Sequence, residues 1–320
     1  MSTVEAPEVV PVKTPIRGDK ATRIRKSFSS RLASLLVVLL TILWTIPTFG
    51  LLVTSLRPQA DVGTSGWWEV FTHPSFTLEN YQTVLFSGGY NVQGGLMPFV
   101  VNSLVVSIPG TLFPLAIAAM AAYALAWVPF RGSNFLFFTI FALQVVPLQL
   151  ALVPLLRLFN TGVHIGSVPV FPALGITGNF ASLWLTHTIF AMPLAIFLLH
   201  NFMAQLPRDV MEAATVDGAN VFLTFRRIVL PLSMPSIAAF AIFQFLWVWN
   251  DLLISLTFVG AGKDSVSPLT TRLSQLVGNF GSHWELLAPS AFVAIVIPLI
   301  VFFALQRYFV RGLLAGSVKG

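Results

Sequence analysis

The chain has 320 residues, of which 9% are charged and 56% are apolar even with glycine left out, and its mean hydropathy is +0.82. A soluble domain carries roughly 25% charged residues, so this composition excludes a soluble globular protein, a disordered chain and a coiled coil, and indicates a polytopic membrane protein. The absence of cysteine excludes a disulfide framework, a thiolate metal site and a cysteine nucleophile. The net charge of +6 is not a nucleic-acid signal, because the basic residues are distributed by membrane topology.

Residues 1–31 are polar, with Pro7, Pro11 and Pro15 and a basic run of Arg17, Lys20, Arg23, Arg25, Lys26 and Arg31. They read as a disordered N-terminal tail. Residues 32–56 form one apolar run, longer as a helix than the ~30 Å hydrocarbon core requires. The run exceeds a signal-peptide core and lacks a small-x-small cleavage site, so it is expected as a retained first transmembrane helix.

Beyond a loop at 57–98, rich in Gly and Trp, five further runs follow at 99–128, 133–159, 180–203, 237–259 and 288–310. The expected fold class is therefore an all-α polytopic membrane protein with six transmembrane helices, the last five forming a core over 99–310. Pro47, Pro109, Pro114, Pro147, Pro154, Pro193 and Pro298 lie inside these runs. A membrane bundle tolerates them where neighbouring groups satisfy the carbonyl that proline leaves without a partner.

The positive-inside rule sets the orientation. A cytoplasmic amino terminus puts Lys13, Arg17, Lys20, Arg23, Arg25, Lys26, Arg31, Arg131, Arg208, Arg226, Arg227, Arg307, Arg311 and Lys319 inside, and leaves only Arg57, Arg157, Lys263 and Arg272 outside. Both termini are thus expected in the cytoplasm, with 57–98 extracytoplasmic and 311–320 a short cytoplasmic tail. The polar segment 204–236 then becomes a long cytoplasmic loop with helical character, suited to docking a cytosolic partner.

No metalloprotease, serine-hydrolase or paired-carboxylate pattern is present, so no catalytic residue and no metal ligand is assigned. Residues 260–264 superficially suggest a phosphate-binding loop. However, Thr257 stands where its first glycine belongs and Asp264 replaces the hydroxyl that holds Mg²⁺. Ionisable groups inside spans are costly and therefore informative. Asp251, beside Trp249 and Asn250 in the fifth run, is the clearest, whereas Arg157 and His187 lie nearer span ends. Two readings stay open for the Asn250–Asp251 pair: an interhelical bond that fixes packing, or the lining, together with Trp249, of a polar pathway in which rings beside hydrogen-bonding groups suit a sugar.

The segment Glu212-Ala213-Ala214-Thr215-Val216-Asp217-Gly218-Ala219, followed by Leu230-Pro231-Leu232, carries the function. Pro207 is placed to start a short helix. Glu212, Ala213 and Ala214 give a small, close-approach surface. Gly218 suits the left-handed residue that ends the helix, Asp217 is a candidate cap for the next, and Pro231 is placed to end that second helix. The expected result is a helix–turn–helix elbow on the cytoplasmic face.

This elbow resembles the EAA loop of ABC-importer permeases, in motif, in spacing and in its place between the fourth and fifth of six spans. Asn102-Ser103-Leu104, Trp249-Asn250-Asp251, Leu269-Thr270, Gln306-Arg307-Tyr308-Phe309 and the 312–320 terminus are similar, more narrowly, to the carbohydrate branch, the second permease subunit of maltose- or α-glucoside-type importers. The resemblance implies a type I ABC-importer permease fold in a bacterial cell (inner) membrane. Glu212, Ala213, Ala214, Asp217, Gly218, Ala219 and Pro231 then belong to a coupling helix seated on a cytosolic ATPase subunit, and the tail, with Gly316 and Lys319, reaches towards the ATPase subunits. It implies as partners a second homologous permease, two ATPase subunits and an extracytoplasmic sugar-binding protein. The resemblance also implies that this chain carries no cofactor and is not an enzyme, with ATP and Mg on the ATPase subunits. The competing readings are a permease for another solute class in the same superfamily, a self-contained secondary transporter or channel, and a membrane enzyme.

Overall fold

The computed structural model describes residues 20–87, 94–260, 262–279 and 283–317, with side chains described between 31 and 277 and between 283 and 306. The chain divides into two units at Leu51 and Leu52. The first is formed by helix α1 (Lys20–Leu56) as far as Leu51. Residues 20–31 contain neither Pro nor Gly, so the helix starts well before the apolar run, inside what the sequence suggests is a disordered tail. From Leu32 to Phe49 its large apolar side chains are exposed, as befits a helix whose solvent is lipid.

The second unit contains α2 (Met97–Trp127), α3 (Ser133–Leu143), α4 (Leu148–Thr161), α5 (Phe180–Met203), α6 (Arg208–Val216), α7 (Val221–Leu232), α8 (Met234–Trp249), α9 (Leu253–Phe258), α10 (Leu269–Asn279) and α11 (Trp284–Ser317). Between α4 and α5 a short antiparallel hairpin, β1 (Val163–Ile165) with β2 (Val168–Phe171), departs from the all-helical plan.

Among the described residues four helices are long and apolar enough to cross a membrane, and the number rises to six if each of two bent pairs is one span. The run 133–159 is not one straight span: α3 and α4 meet at 103°. Pro147 lacks an N–H and drives Val146 away from helical geometry, so the helix stops at Leu143 and restarts after Pro147. The run 237–259 also breaks. α8 ends at Trp249 and α9 begins at Leu253, while α7 joins α8 through a 72° bend around Ser233, between Pro231 and Pro235. Pro231 therefore lies within the helix rather than ending it.

The core is the α2–α5 pair, against which α8 packs. Ala118, Ala119 and Ala122 of α2 meet Ala191 and Ala195 of α5 in one buried cluster with Leu199, Met203 and Phe240. Small residues let two backbones approach closely where lipid offers no hydrophobic drive for association.

Three prolines explain the polar contacts across this core. Pro109, Pro114 and Pro298 each lack the N–H that would bond the carbonyl four residues earlier, at Val105, Gly110 and Ala294 respectively. Each of those carbonyls accepts from a side chain on a neighbouring helix. Trp184 Nε1 reaches Val105 at 2.8 Å, Gln244 Nε2 reaches Gly110 at 3.2 Å, and Trp249 Nε1 reaches Ala294 at 3.0 Å. The prolines thus become joints that hold α2 to α5, α2 to α8 and α8 to α11.

Candidate functional site

The elbow is built by helix ends. α5 stops at Met203, whose carbonyl accepts from Trp127 Nε1 at 2.8 Å. Pro207 occupies the N-cap of α6. At the other end of α6, Ala219 N–H donates to Ala214 O at 2.9 Å and Gly218 N–H to Thr215 O at 3.0 Å, while Gly218 holds φ +74°. This is a Schellman stop, which requires a left-handed residue at its turn. The next helix is capped by Asn220, whose Oδ1 accepts from Leu223 N–H at 2.8 Å. Asp217 does not perform that cap, because the turn at Gly218 moves the start of α7 three residues on.

One face of the elbow is bound to the bundle. Met211, Ala214, Thr224 and Val229 are buried, Tyr123 Oη donates to Val221 O at 3.2 Å, and the Tyr123 and Phe225 rings lie 5.3 Å apart. Ala214 is only 5% exposed within its own chain and faces the bundle, whereas the sequence suggests a partner-facing position. The 3.6-residue helical period puts Met211 and Ala214 inward. Glu212, Ala213 and Asp217 therefore remain outward. Beside them stand Val216, 87% exposed, and the exposed Val221 and Phe222. Sequence reasoning missed this apolar rim, although the same period carries it.

The second candidate cluster lies at the break between α8 and α9. Asp251 accepts at Oδ2 from the N–H groups of Ile254 at 3.1 Å and Ser255 at 3.2 Å, capping α9. Its own carbonyl accepts from Thr270 Oγ1 at 2.6 Å. His187 of α5, in the first third of that helix and buried, places Nε2 3.9 Å from Asp251 Oδ2, too far for a hydrogen bond. Trp249 is 2% exposed and bonded to α11, so it packs the core. Among the three residues only Asn250 is exposed, its Nδ2 donating to Leu246 O at 2.8 Å.

Asn102 and Ser103 gain a role that their motif did not reveal. Asn102 Nδ2 donates to Asp264 O at 3.1 Å and Ser267 O at 3.0 Å, and Ser103 Oγ accepts from Leu269 N–H at 2.8 Å. They staple the segment before α10 to the start of α2. Of the tail residues, Gly316 lies in α11, which continues through Ser317 where a separate tail was expected, and Lys319 lies outside the described residues. No cluster of three metal-ligating side chains occurs among the described residues.

Residues 114–314 match the family model for the binding-protein-dependent transport system inner membrane component. The chain belongs to that family. This permease is 48% identical over 289 residues to the osmoprotective compounds uptake permease protein GgtD of Synechocystis, covering 88% of this chain and 91% of the relative. It is 51% identical over 270 residues to the alpha-glucoside transport system permease protein AglG of Rhizobium meliloti, covering 84% of this chain and 67% of that one. Its fold is that of a chain in the crystal structure of a bacterial ABC transporter involved in the import of the acidic polysaccharide alginate. The TM-score there is 0.68 at 19% identity, over 92% of this chain and 100% of that one. The permease is therefore a multi-pass membrane component of an ABC importer with the type I fold, and a self-contained secondary transporter is not favoured.

Proposed function

We propose that this permease forms half of the translocation pathway for a sugar, an oligosaccharide or α-glucoside, in a bacterial inner membrane with both termini cytoplasmic. A second homologous permease supplies the other half, an extracytoplasmic binding protein delivers the solute, and two cytosolic ATPase subunits bind and hydrolyse ATP with Mg. The observation that carries the substrate class is the 51% identity to a permease named for alpha-glucosides. The coupling role is supported by the elbow itself: its inner face is locked to the bundle, and its outer face offers Glu212, Ala213, Asp217, Gly218 and an apolar rim. An elbow rigid on one side and adhesive on the other suits the transmission of ATPase movement into α5 and α8. Gly316 and Lys319 complete the proposed contact with the ATPase subunits. Asn250 is the residue of the α8–α9 break with access to a pathway.

The relative named for osmoprotective compounds favours a second reading, in which the solute is a small compatible solute. Purified complex with its binding protein, assayed for ligand-stimulated ATP hydrolysis over a panel of α-glucosides and osmoprotectants, separates the two. Stimulation by α-glucosides supports the first reading. Stimulation by osmoprotectants alone replaces it with the second.

A further inference from the structure

The segment between α1 and α2 folds back onto the end of α1. Thr77 N–H donates to Leu56 O at 2.7 Å, and Asn80 Nδ2 donates to Ser55 O at 3.2 Å and Arg57 O at 2.7 Å. Ser55 Oγ and Tyr81 Oη lie 2.8 Å apart. These bonds close a loop over residues 57–76 whose base is the last turn of a membrane-spanning helix. Inside it, the buried Arg57 guanidinium donates to Gly66 O at 2.9 Å, Ser65 O at 3.2 Å and Asp61 O at 3.3 Å, and Ser75 Oγ donates to Asp61 Oδ2 at 2.5 Å. The loop is internally bonded, and its single arginine is committed to that bonding.

Four large apolar side chains on it and just beyond it are exposed nonetheless, whereas Trp67 is half-buried against the rings of Trp68 and Phe71. Trp68 is 62% exposed, Phe71 71%, Phe76 64% and Leu78 70%. Gly66 leaves room for the Trp68 ring, because a Cβ there would meet that ring at 2.3 Å. Pinning against a span end keeps the base of this loop close to the membrane surface. Tryptophan and other rings partition to the headgroup level of a bilayer.

We propose that the 57–78 loop is an interfacial anchor, with Trp68, Phe71, Phe76 and Leu78 seated in the headgroup and upper acyl region of the leaflet where α1 ends. Residues 58–87 contain Asp61, Glu69 and Glu79 and no Lys or Arg, so attraction to anionic lipid does not drive the seating. Zwitterionic lipid suffices.

The cysteine-free sequence permits a direct test. Single cysteines at Phe71→Cys and Phe76→Cys, with Thr64→Cys as the polar reference in the same loop, are nitroxide-labelled in the permease complex reconstituted into phosphatidylcholine bilayers. The ratio of collision with oxygen to collision with a water-soluble nickel chelate is then measured. The anchor predicts a ratio several-fold higher at positions 71 and 76 than at 64, unchanged by anionic lipid. Equal ratios at the three positions overturn it. So does protection of 71 and 76 from both reagents, which means burial against another subunit, and so does a change confined to addition of the extracytoplasmic binding protein. Two independent probe positions guard against one variant failing to assemble.

Discussion

At the residue scale the elbow turns on Gly218. A Cβ there meets nothing within 4 Å, so substitution acts through the backbone alone, at φ +74°. Left-handed geometry costs an ordinary L-residue roughly 1–2 kcal/mol and asparagine less. Gly218→Val is therefore expected to abolish uptake at near-normal membrane levels, while Gly218→Asn retains most of it; transport assays with immunoblotting of membranes check both. Phe222→Asp leaves that turn intact and alters only the exposed rim, so it is expected to weaken retention of ATPase subunits during affinity purification. Normal retention would remove the rim from the interface. At Asp251, alanine strips the acceptor from two N–H groups of α9, at a cost of about 1–3 kcal/mol. Thermal unfolding of the purified complex should fall for Asp251→Ala and recover largely for Asp251→Asn, which keeps one oxygen. Loss of uptake in both variants with unchanged unfolding would instead assign the carboxylate to the pathway.

At the scale of the elements, the prolines act as hydrogen-bonded joints. Gln244→Leu leaves the Gly110 carbonyl without its donor in a dry core, and bonds of this kind contribute about 0.6–2 kcal/mol in membrane bundles. A modest drop in the unfolding temperature is expected. A drop of the same size in a Pro114→Ala background would contradict the joint, since there the N–H that alanine restores can serve Gly110 itself. Much of this level was legible in the sequence. Apolar runs place the spans, and Gly218 marks the elbow turn because few other residues accept its geometry. Other features were not legible, for a common reason. The α8–α9 break, the burial of Trp249 and the approach of His187 to Asp251 all depend on which neighbour stands opposite, and hydropathy carries no such information. Asp217 shows the same limit at close range: aspartate caps helices well, but the Schellman turn hands that position to Asn220.

At the scale of the whole molecule, the second unit has inner elements bonded to one another and an elbow whose outer face stays exposed. Its α2–α5 seam, packed on alanines, is built for rigidity. The elbow is joined to that seam through Tyr123, Met211 and Val229, so a displacement of the elbow reaches α2 and α5 directly. The central claim is that solute movement through this chain depends on ATP hydrolysed by subunits docked at the elbow. Proteoliposomes containing the complete complex, with binding protein and radiolabelled α-glucoside, measure it by following uptake and ATP hydrolysis together. Ligand-loaded binding protein is expected to stimulate both in the wild type, and Gly218→Val to lose uptake together with the ligand dependence of hydrolysis. Uptake by liposomes carrying this chain without ATPase subunits or ATP would contradict the central claim.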